Sequence, residues 1–455
     1  MNLRRLIAVW SARIIKTACR IGGKQGLTLA GKVALSIDPS ILKKLAGEVR
    51  KGIFVVCGTN GKTTVTTLLA SVLEADGNKV ICNRTGSNMR SGVVAAFVLG
   101  AGVGGHLDAD YACIEIDEAS AVGVFPHFHP GYMILTNLFR DQLDRYGEID
   151  TTMDLLSRAI KMEPEMRLIV NGDEPLCTYL AMRSGNPIST YGIGEQVHKK
   201  HDSKEIREGQ FCKCCGERLE YTFYHYSQLG DYHCPKCGFK RPALDFDASQ
   251  IRLSGGISFD VNGFRVQSNF KDFYNIYNLL AVYSAAWLTG VSQDQFNKLL
   301  HNYTPPFGRN EEFYIDGTKI MLKLAKNQAG FNQNINAVLD DPAAKDIILL
   351  LNDNSQDGAD ISWIWDVDFD RLKAANAASI TVSGIRCLDL RLRLKYAEID
   401  ADLEAEIETA IDARIKKGTK NLYVLVNYTG LYPTHKSLKK MEVKSNEHHN
   451  RPSVS

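Results

Sequence analysis

Residues 53–57 (Ile-Phe-Val-Val-Cys) carry no polar interruption, the pattern of a short strand buried on both faces of a parallel sheet. A glycine-containing stretch follows. From Thr63 to Ala75 the apolar residues Val65, Leu68, Leu69, Val72 and Leu73 then share one helical face, and Gly77 lies just past the end. The same reading predicts strands at Lys79–Cys82, Tyr111–Ile116, Tyr132–Thr136 and Arg167–Asn171, with helical stretches between many of them. Such alternation specifies a mostly parallel α/β sheet. Residues 1–50 read as helical, with glycine breaks at Gly22, Gly23, Gly26 and Gly31.

Residues 195–242 interrupt this pattern, first charged and then rich in cysteine and aromatic residues, and read as an insertion. A helix near Phe273–Thr289 closes the first α/β region. Pro305-Pro306-Phe307-Gly308 marks a hinge. A second α/β pattern begins at Glu312, with strands near Lys319–Lys323, Asp346–Leu351, Ala378–Val382 and Asn421–Val426. The polar final residues are expected to be a disordered tail.

A chain of 455 residues, 44% hydrophobic and 23% charged, has material for about three domains. Its net charge of +2 provides no global field for nucleic acid. No apolar run reaches the ~20 residues needed to span a bilayer; the longest, Gly92–Gly105 and Leu279–Val291, are short and broken by small residues. The N-terminus is basic and then apolar. Arg13 and Lys16 interrupt it, so it reads as an amphipathic helix suited to contact with a membrane surface rather than as a leader. Of the 11 cysteines, five crowd into residues 212–237 and six are scattered, several of them in apolar strands. That usage fits reduced thiols in a cytoplasm better than a disulfide framework.

The glycine stretch Gly58-Thr59-Asn60-Gly61-Lys62-Thr63-Thr64 lies between the buried strand and its helix. A loop there presents successive backbone N–H groups to a phosphate, and the helix start adds partial positive charge. Lys62 is placed to reach the β- and γ-phosphates and the Thr63 hydroxyl to ligate magnesium. The spacing is shorter than the general G-x-x-x-x-G-K-[ST] pattern and matches only its C-terminal half. In the insertion, Cys212-Lys-Cys-Cys215 and Cys234-Pro-Lys-Cys237 form two C-x-x-C pairs with 18 residues between them, and a glycine follows each. This is the spacing of a four-thiolate zinc site, closed and therefore structural. Cys214 is a spare thiol.

The loop has the form found in Mur ligases and folylpolyglutamate synthetases, and five further segments follow in that family's order. Ile114-Glu115-Ile116-Asp117-Glu118-Ala119 resembles the strand end that supplies a magnesium-binding glutamate. Thr136-Asn137-Leu138-Phe139-Arg140-Asp141-Gln142-Leu143-Asp144 resembles T-N-x-x-x-D-H-x-D. Asn171-Gly172-Asp173-Glu174-Pro175 resembles N-x-D-D-P. Asn275–Ala281 resembles the N-x-x-N-x-x-A helix, and Gly308-Arg309-Asn310-Glu311 the G-R-x-E hinge. The resemblance implies ATP bound by residues 58–64, with Asn137 and Asn278 on the nucleotide and Arg309 on phosphate charge. It implies Mg²⁺ on Thr63 and a glutamate: Glu118 is taken here, with Glu115 the open alternative. Two departures stand out. Gln142 replaces the usual histidine. Lys161, the nearest candidate for the carbamylated lysine of many relatives, is at the wrong spacing, which leaves a second magnesium open.

In the third domain, Lys323 and Lys326 replace the aspartate and histidine of the ordinary D-Y-A-H-N-P stretch. Together with the four-cysteine insertion, Leu351–Asp366, Ser383–Arg386 and Asn427–Gly430, this resembles the MurT family, the synthetase subunits of lipid II isoglutaminyl synthases. The fold implied is α/β. A Mur ligase-like central P-loop ATPase domain (51–311) follows an N-terminal helical segment (1–50) and carries an inserted Cys₄ zinc ribbon (205–242). A C-terminal Rossmann-like α/β domain (312–440) contacts the partner, and a tail spans 441–455. The activity implied is ATP-dependent amidation of the D-glutamate α-carboxyl of the lipid II stem peptide at the inner membrane face. Ammonia would come from a GatD-type glutaminase subunit, whose Cys–His pair is faced by an aspartate of this chain: Asp360, with Asp357 and Asp366 as alternatives. A stand-alone Mur or folylpolyglutamate-type amino-acid ligase is the competing reading.

Overall fold

The computed structural model describes residues 3–22, 26–84, 86–140, 149–197, 208–303 and 311–449. The chain forms two compact units, one built almost wholly from residues 1–304 and the other from 305–455.

The first unit opens with three helices, α1 (Leu3–Ile21), α2 (Leu27–Ile37) and α3 (Ile41–Ala46). The strands that follow are β1 (Val49–Cys57), β2 (Val80–Cys82), β3 (Ala109–Glu115), β4 (Tyr132–Leu135), β5 (Arg167–Asn171), β6 (Ile188–Ile193), β7 (Glu220–Tyr226), β8 (Leu229–His233), β9 (Phe246–Arg252), β10 (Ile257–Val261) and β11 (Phe264–Ser268). Among the described residues, nine of them form one sheet in the order β11-β10-β9-β6-β5-β4-β1-β3-β2. Neighbours from β2 to β9 run parallel, and β9, β10 and β11 form an antiparallel edge. Strand β1 lies centrally, and Phe54, Val55, Val56 and Cys57 are fully buried, which explains the unbroken apolar run. It pairs with β3 on one side and β4 on the other, so connections diverge from its C-terminal end. Open parallel sheets place ligand crevices at that point.

Helices α4 (Lys62–Ala75) and α5 (Arg90–Gly100) cover the sheet. The N-terminal helices are not a separate layer: Ala8, Val9 and Ala12 of α1, Ala30 and Ala34 of α2, and Leu42 and Leu45 of α3 lie in one core with Val93, Phe97 and strand residues. Gly31, expected to break a helix, sits inside α2. Its role is close packing: a Cβ there would lie 1.8 Å from the carbonyl oxygen of Ser91 at the start of α5. The antiparallel edge was not among the strands expected from the sequence, although Ile257–Val261 and Phe264–Val266 alternate apolar and polar residues around an Asn262-Gly263 turn.

The second unit is a six-stranded sheet, counted among the described residues. Its strands are β12 (Glu311–Ile315), β13 (Thr318–Leu324), β14 (Lys345–Leu350), β15 (Ala377–Ser383), β16 (Asp402–Leu403) and β17 (Asn421–Val426), in the order β12-β13-β17-β14-β15-β16. All pairs are parallel except the β12–β13 hairpin. The final helix runs Tyr428–His449, so residues 441–449 are helical where a disordered tail was expected. Tertiary contacts account for the difference. The Glu442 carboxylate accepts from the Tyr314 amide at 3.1 Å, and the Ser445 hydroxyl accepts from the Asp316 amide at 3.0 Å, holding the helix along the hairpin.

The α2–α5 contact leaves no room for a side chain, so Gly31→Ala should destabilise the protein by about 1–3 kcal/mol through overpacking. Gly104→Ala, whose added carbon meets nothing within 4 Å, should stay within about 0.5 kcal/mol of wild type. Thermal or urea unfolding compares the two; equal stabilities would show that the helices are not packed this way.

Candidate functional site

The loop after β1 has the conformation that only its glycines permit. Gly58 has φ +126° and Gly61 φ +87°. A Cβ on Gly58 would lie 2.2 Å from Thr136 Oγ1, and one on Gly61 2.3 Å from Asn278 Oδ1. The backbone is fixed from β4: the Thr59 amide donates to Asn137 O (2.8 Å), the Asn60 amide to Asn137 Oδ1 (2.9 Å), and Thr136 Oγ1 to Asn60 O (2.8 Å). Thr59 Oγ1 and the Phe139 backbone exchange two further hydrogen bonds, at 3.0 and 2.9 Å. Asn278 donates to Asn275 Oδ1 (3.0 Å) on the helix Asn275–Leu288, so both members of the Asn-x-x-Asn pair meet beside the loop.

Two carboxylates from the end of β3 enter the loop. Glu118 Oε1 accepts from the Gly58 amide (2.9 Å) and from Lys62 Nζ (2.8 Å), and Nζ also donates to Gly58 O (2.6 Å). Lys62 and Glu118 are each 7% exposed. Burial would lower the Lys62 pKa, but Glu118 and Glu115 more than offset it and leave it above that of an ordinary lysine. Glu115 Oε2 accepts from Thr63 Oγ1 (2.7 Å) and Oε1 from Asn88 Nδ2 (3.0 Å). The expectation that placed Glu118 with Thr63 is therefore not what the geometry shows: Glu115 meets the hydroxyl, and Glu118 meets the ammonium. The reason is chain direction. Glu115 is the last residue of β3, level with Val56 of β1, while Glu118 follows three residues on, where the chain turns across the loop.

Sequence reasoning missed Asn83, whose side chain donates to Glu115 O (2.8 Å) and accepts from the Glu115 amide (2.8 Å). It also missed Asn171, which donates to Thr136 O at 2.9 Å. Asn83 follows the short strand β2 in no recognisable motif. Asn171 was in view only as part of the N-x-D-D-P-like segment. Thr64 is buried at the start of α4. Arg309, Asp141, Gln142 and Asp144 lie outside the described residues.

The insertion brings Cys212, Cys215, Cys234 and Cys237 together, with all four sulfurs within 4.8 Å of one another. Two of the separations are 3.5 Å. A tetrahedron of thiolates around zinc, with bonds of about 2.3 Å, has edges of roughly 3.8 Å, so the cluster has the right size. Gly216 and Gly238 have φ +77° and +76° and close the two turns on Cys212 O and Cys234 O. The Cys234 thiol is pulled down to about 7: burial opposes this, but the Cys237 and Lys236 amides and the neighbouring thiols outweigh it. Cys214 is exposed and outside the cluster.

The ribbon is tied to the site. Gln228 Nε2 donates to Glu174 Oε1 and to Leu138 O, both at 2.7 Å, and Tyr232 OH donates to Gly172 O at 3.3 Å. Asp173, fully buried, accepts from Arg241 (2.6 Å), just after the ribbon's second cysteine pair, and from Tyr277 OH (2.8 Å). Burial pushes its carboxyl up to about 6 against the pull of Arg241. The Asn171–Pro175 turn is thus the seat on which the ribbon rests, and Leu138 links that seat to the segment clamping the phosphate loop.

In the second unit, Asp357 is buried, and its carboxylate accepts from the Thr429 amide (2.9 Å) and the Thr429 hydroxyl. Burial raises its pKa. Asp360 is half-buried and caps the Ser362 amide at 2.8 Å. Asp366, also predicted, has its pKa raised by burial. Lys323 is buried in β13, and Asn327 caps the helix Gln328–Asp340 through the Gly330 amide at 2.9 Å.

Comparison with known proteins matches residues 56–234 to the Mur ligase middle domain and residues 324–431 to the MurT ligase C-terminal family. The chain is 34% identical to the lipid II isoglutaminyl synthase (glutamine-hydrolyzing) subunit MurT of Staphylococcus aureus strain COL, over 95% of this chain and 97% of that one. It is 33% identical to the subunit of the same name from Streptococcus pneumoniae strain R6, over 95% and 96%. Among solved structures, a pseudomurein peptide ligase type C from Methanothermus fervidus shares the fold with a TM-score of 0.72 at 21% identity, covering 88% of this chain and 80% of that one. MurF ligase from Thermotoga maritima in complex with ADP shares it with a TM-score of 0.62 at 13% identity, over 92% and 85%. The chain belongs to the MurT family of lipid II isoglutaminyl synthase subunits, within the Mur ligases.

Proposed function

We propose that this chain is the ATP-dependent amidating subunit of a lipid II isoglutaminyl synthase. The observation that carries the reading is a match over nearly its whole length to MurT subunits, in a chain that keeps Lys62 and Thr63 poised where β1 gives way to α4. The substrate group is the α-carboxyl of D-glutamate in the lipid II stem peptide. A carboxylate is a poor electrophile. Its oxygen attacks the γ-phosphorus of ATP, the bond to the ADP oxygen breaks, and an acyl phosphate forms. Ammonia then attacks the carbonyl carbon, inorganic phosphate leaves, and D-isoglutamine remains.

The chain's own contribution is positioning and charge. The loop amides at the start of α4 and the Lys62 ammonium bind the polyphosphate, those of Thr59 and Asn60 being spent on Asn137. Magnesium, when bound, neutralises phosphate charge, and Thr63 with Glu115 is the pair to hold it; the hydroxyl and carboxylate oxygens suit a hard cation. Asn278, packed against Gly61, is the asparagine offered to the nucleotide, and Asn137 acts through the loop backbone. Arg309 adds positive charge toward the transferred phosphoryl. The four cysteines hold zinc as a structural staple. Ammonia is delivered by a GatD-type glutaminase bound to the second unit, with Asp360 offered to its catalytic histidine. Asp357 is the weaker choice because Thr429 already occupies both its oxygens. The setting is the cytoplasm, at the inner membrane face; among the described residues no helix is long and apolar enough to cross a membrane.

The decisive assay measures ADP release and product mass on lipid II, for the chain alone and with a glutaminase subunit. Alone, it should amidate with ammonia but not with glutamine; with the partner, glutamine should suffice. Ligation of an amino acid instead would establish the stand-alone ligase reading. Lys62→Ala should lower turnover by at least about a hundredfold while zinc content is unchanged. Glu115→Gln should raise the magnesium concentration needed for half-maximal rate by about tenfold or more, and by more than Glu118→Gln does. The reverse order would move the metal to Glu118. Replacing Cys212 and Cys215 together by Ser should remove one zinc per chain, seen by elemental analysis, and lower the unfolding temperature. Cys214→Ser should do neither.

A further inference from the structure

Helix α1 has two apolar faces, and only one is used by the fold. Ala8, Val9 and Ala12 are fully buried against the first unit's core. On the opposite side Leu3, Ile7, Trp10, Ile14 and Ile21 are 65%, 46%, 44%, 64% and 84% exposed. At 3.6 residues per turn these five fall within an arc of about 60°. A single exposed isoleucine needs no explanation, but an unbroken stripe along a 19-residue helix does. The helix is not loose: Arg5 bonds Glu48 at 2.5 Å and also the Gly105 carbonyl, and Arg13 bonds the Ala101 carbonyl. The stripe is therefore presented outward by a fixed element.

Charge identifies what it meets. Residues 1–37 contain seven cationic side chains (Arg4, Arg5, Arg13, Lys16, Arg20, Lys24, Lys32) and no aspartate or glutamate; the first acid is Asp38. Arg4 and Arg20 are exposed and flank the stripe on its two sides, and Lys16 is also exposed. A second copy of this chain would bring cation against cation. An anionic bilayer offers both complements: acyl chains for the stripe, lipid phosphates for the flanking cations, and the boundary between them for Trp10. We infer that α1 lies in the plane of an anionic membrane surface, stripe inward, and docks the first unit there. This goes beyond the amidation reading and is independent of it, since lipid vesicles free of any substrate test it.

The experiment is flotation of the full-length chain with vesicles of equal parts phosphatidylglycerol and phosphatidylcholine, and with phosphatidylcholine alone. Wild type should float with the anionic vesicles, weakly with the neutral ones, and less as salt is raised. Trp10→Glu with Ile14→Glu should cut binding about tenfold or more. Arg4→Glu and Arg20→Glu should each cut it about fivefold or more at low salt. Circular dichroism and ADP release with a water-soluble stem-peptide substrate should be unchanged for all of these. Brominated lipid should quench the emission of wild type more than that of Trp10→Phe, a comparison that does not depend on the glutamate variants folding. Equal binding by wild type and the stripe variants would overturn the proposal. So would absence of vesicle binding together with a dimer or an acidic protein complex that Trp10→Glu dissolves.

Discussion

The buried ion pair between Lys62 and Glu118 is the constraint around which the first unit's site is arranged. A lysine ammonium taken from water costs several kcal/mol unless other groups replace the solvent. Here Glu118 and the Gly58 carbonyl replace it, and Glu118 simultaneously takes the Gly58 amide. One carboxylate oxygen thus occupies the focus of the loop's donors. The loop's shape is consequently set within the chain, and a phosphate entering there would exchange one anionic acceptor for another rather than meet a bare cation. The same logic explains the separation of the two glutamates: the one that balances Lys62 is not free to serve Thr63, and Glu115 does so, oriented by Asn83 on its backbone and Asn88 on its side chain.

The insertion gains its meaning from that loop. Glycines give the loop its shape but no rigidity; rigidity comes from the Thr136–Phe139 segment, whose backbone and side chains clamp Thr59 and Asn60. That segment is reinforced in turn by Asn171 on Thr136 and by Gln228 of the ribbon on Leu138. A ribbon of this size has too small a core to fold by burial alone, with Leu219 and Tyr232 as its main apolar members beside the cysteines. A tetrahedral metal held by the four cysteines would supply what the core lacks. The buried contacts of Asp173 and Glu174 are then the means by which a small inserted fold stiffens a site built on another element.

Much of this was legible in the residues, and the exceptions have physical causes. The unbroken apolar run of β1, the helical stripe of α4 and the two C-x-x-C pairs each depend on local spacing, and each is found where the spacing put it. The β9–β10–β11 edge was passed over although Ile257–Val261 alternates apolar and polar residues and an Asn262-Gly263 turn joins it to Phe264–Ser268, because the reading followed only the apolar runs of the parallel strands. Gly31 was misread because a glycine required by a neighbouring helix looks the same in sequence as one that ends a helix. The assignment of the two glutamates could not be read from a single line of residues: Glu115 and Glu118 differ by three positions, and only the register of β3 against β1 decides which carboxylate reaches Thr63. The final helix illustrates the converse. Its composition is that of a disordered tail, and hydrogen bonds to the β12–β13 hairpin make it a helix.

The second unit gathers its polar groups at the C-terminal ends of its strands. Lys323 and Lys326 stand where amino-acid ligases of the family carry acid and histidine, and Asn327 is occupied as a helix cap. What the sheet offers at the C-terminal ends of β14, β15 and β17 is a knot of short amides and hydroxyls. The Asn427 side chain accepts from the Asn352 amide and donates to the Asn352 carbonyl, the Asn352 and Asn354 side chains both reach Thr429, and Asn352 also accepts from the Ile385 amide. Asp357 completes the knot and is consumed by it. This network ties the loop that begins at Asp353 to the strand ends at its base. Within the loop, the Asp360 cap on the Ser362 amide uses one carboxylate oxygen, whereas Thr429 takes both oxygens of Asp357.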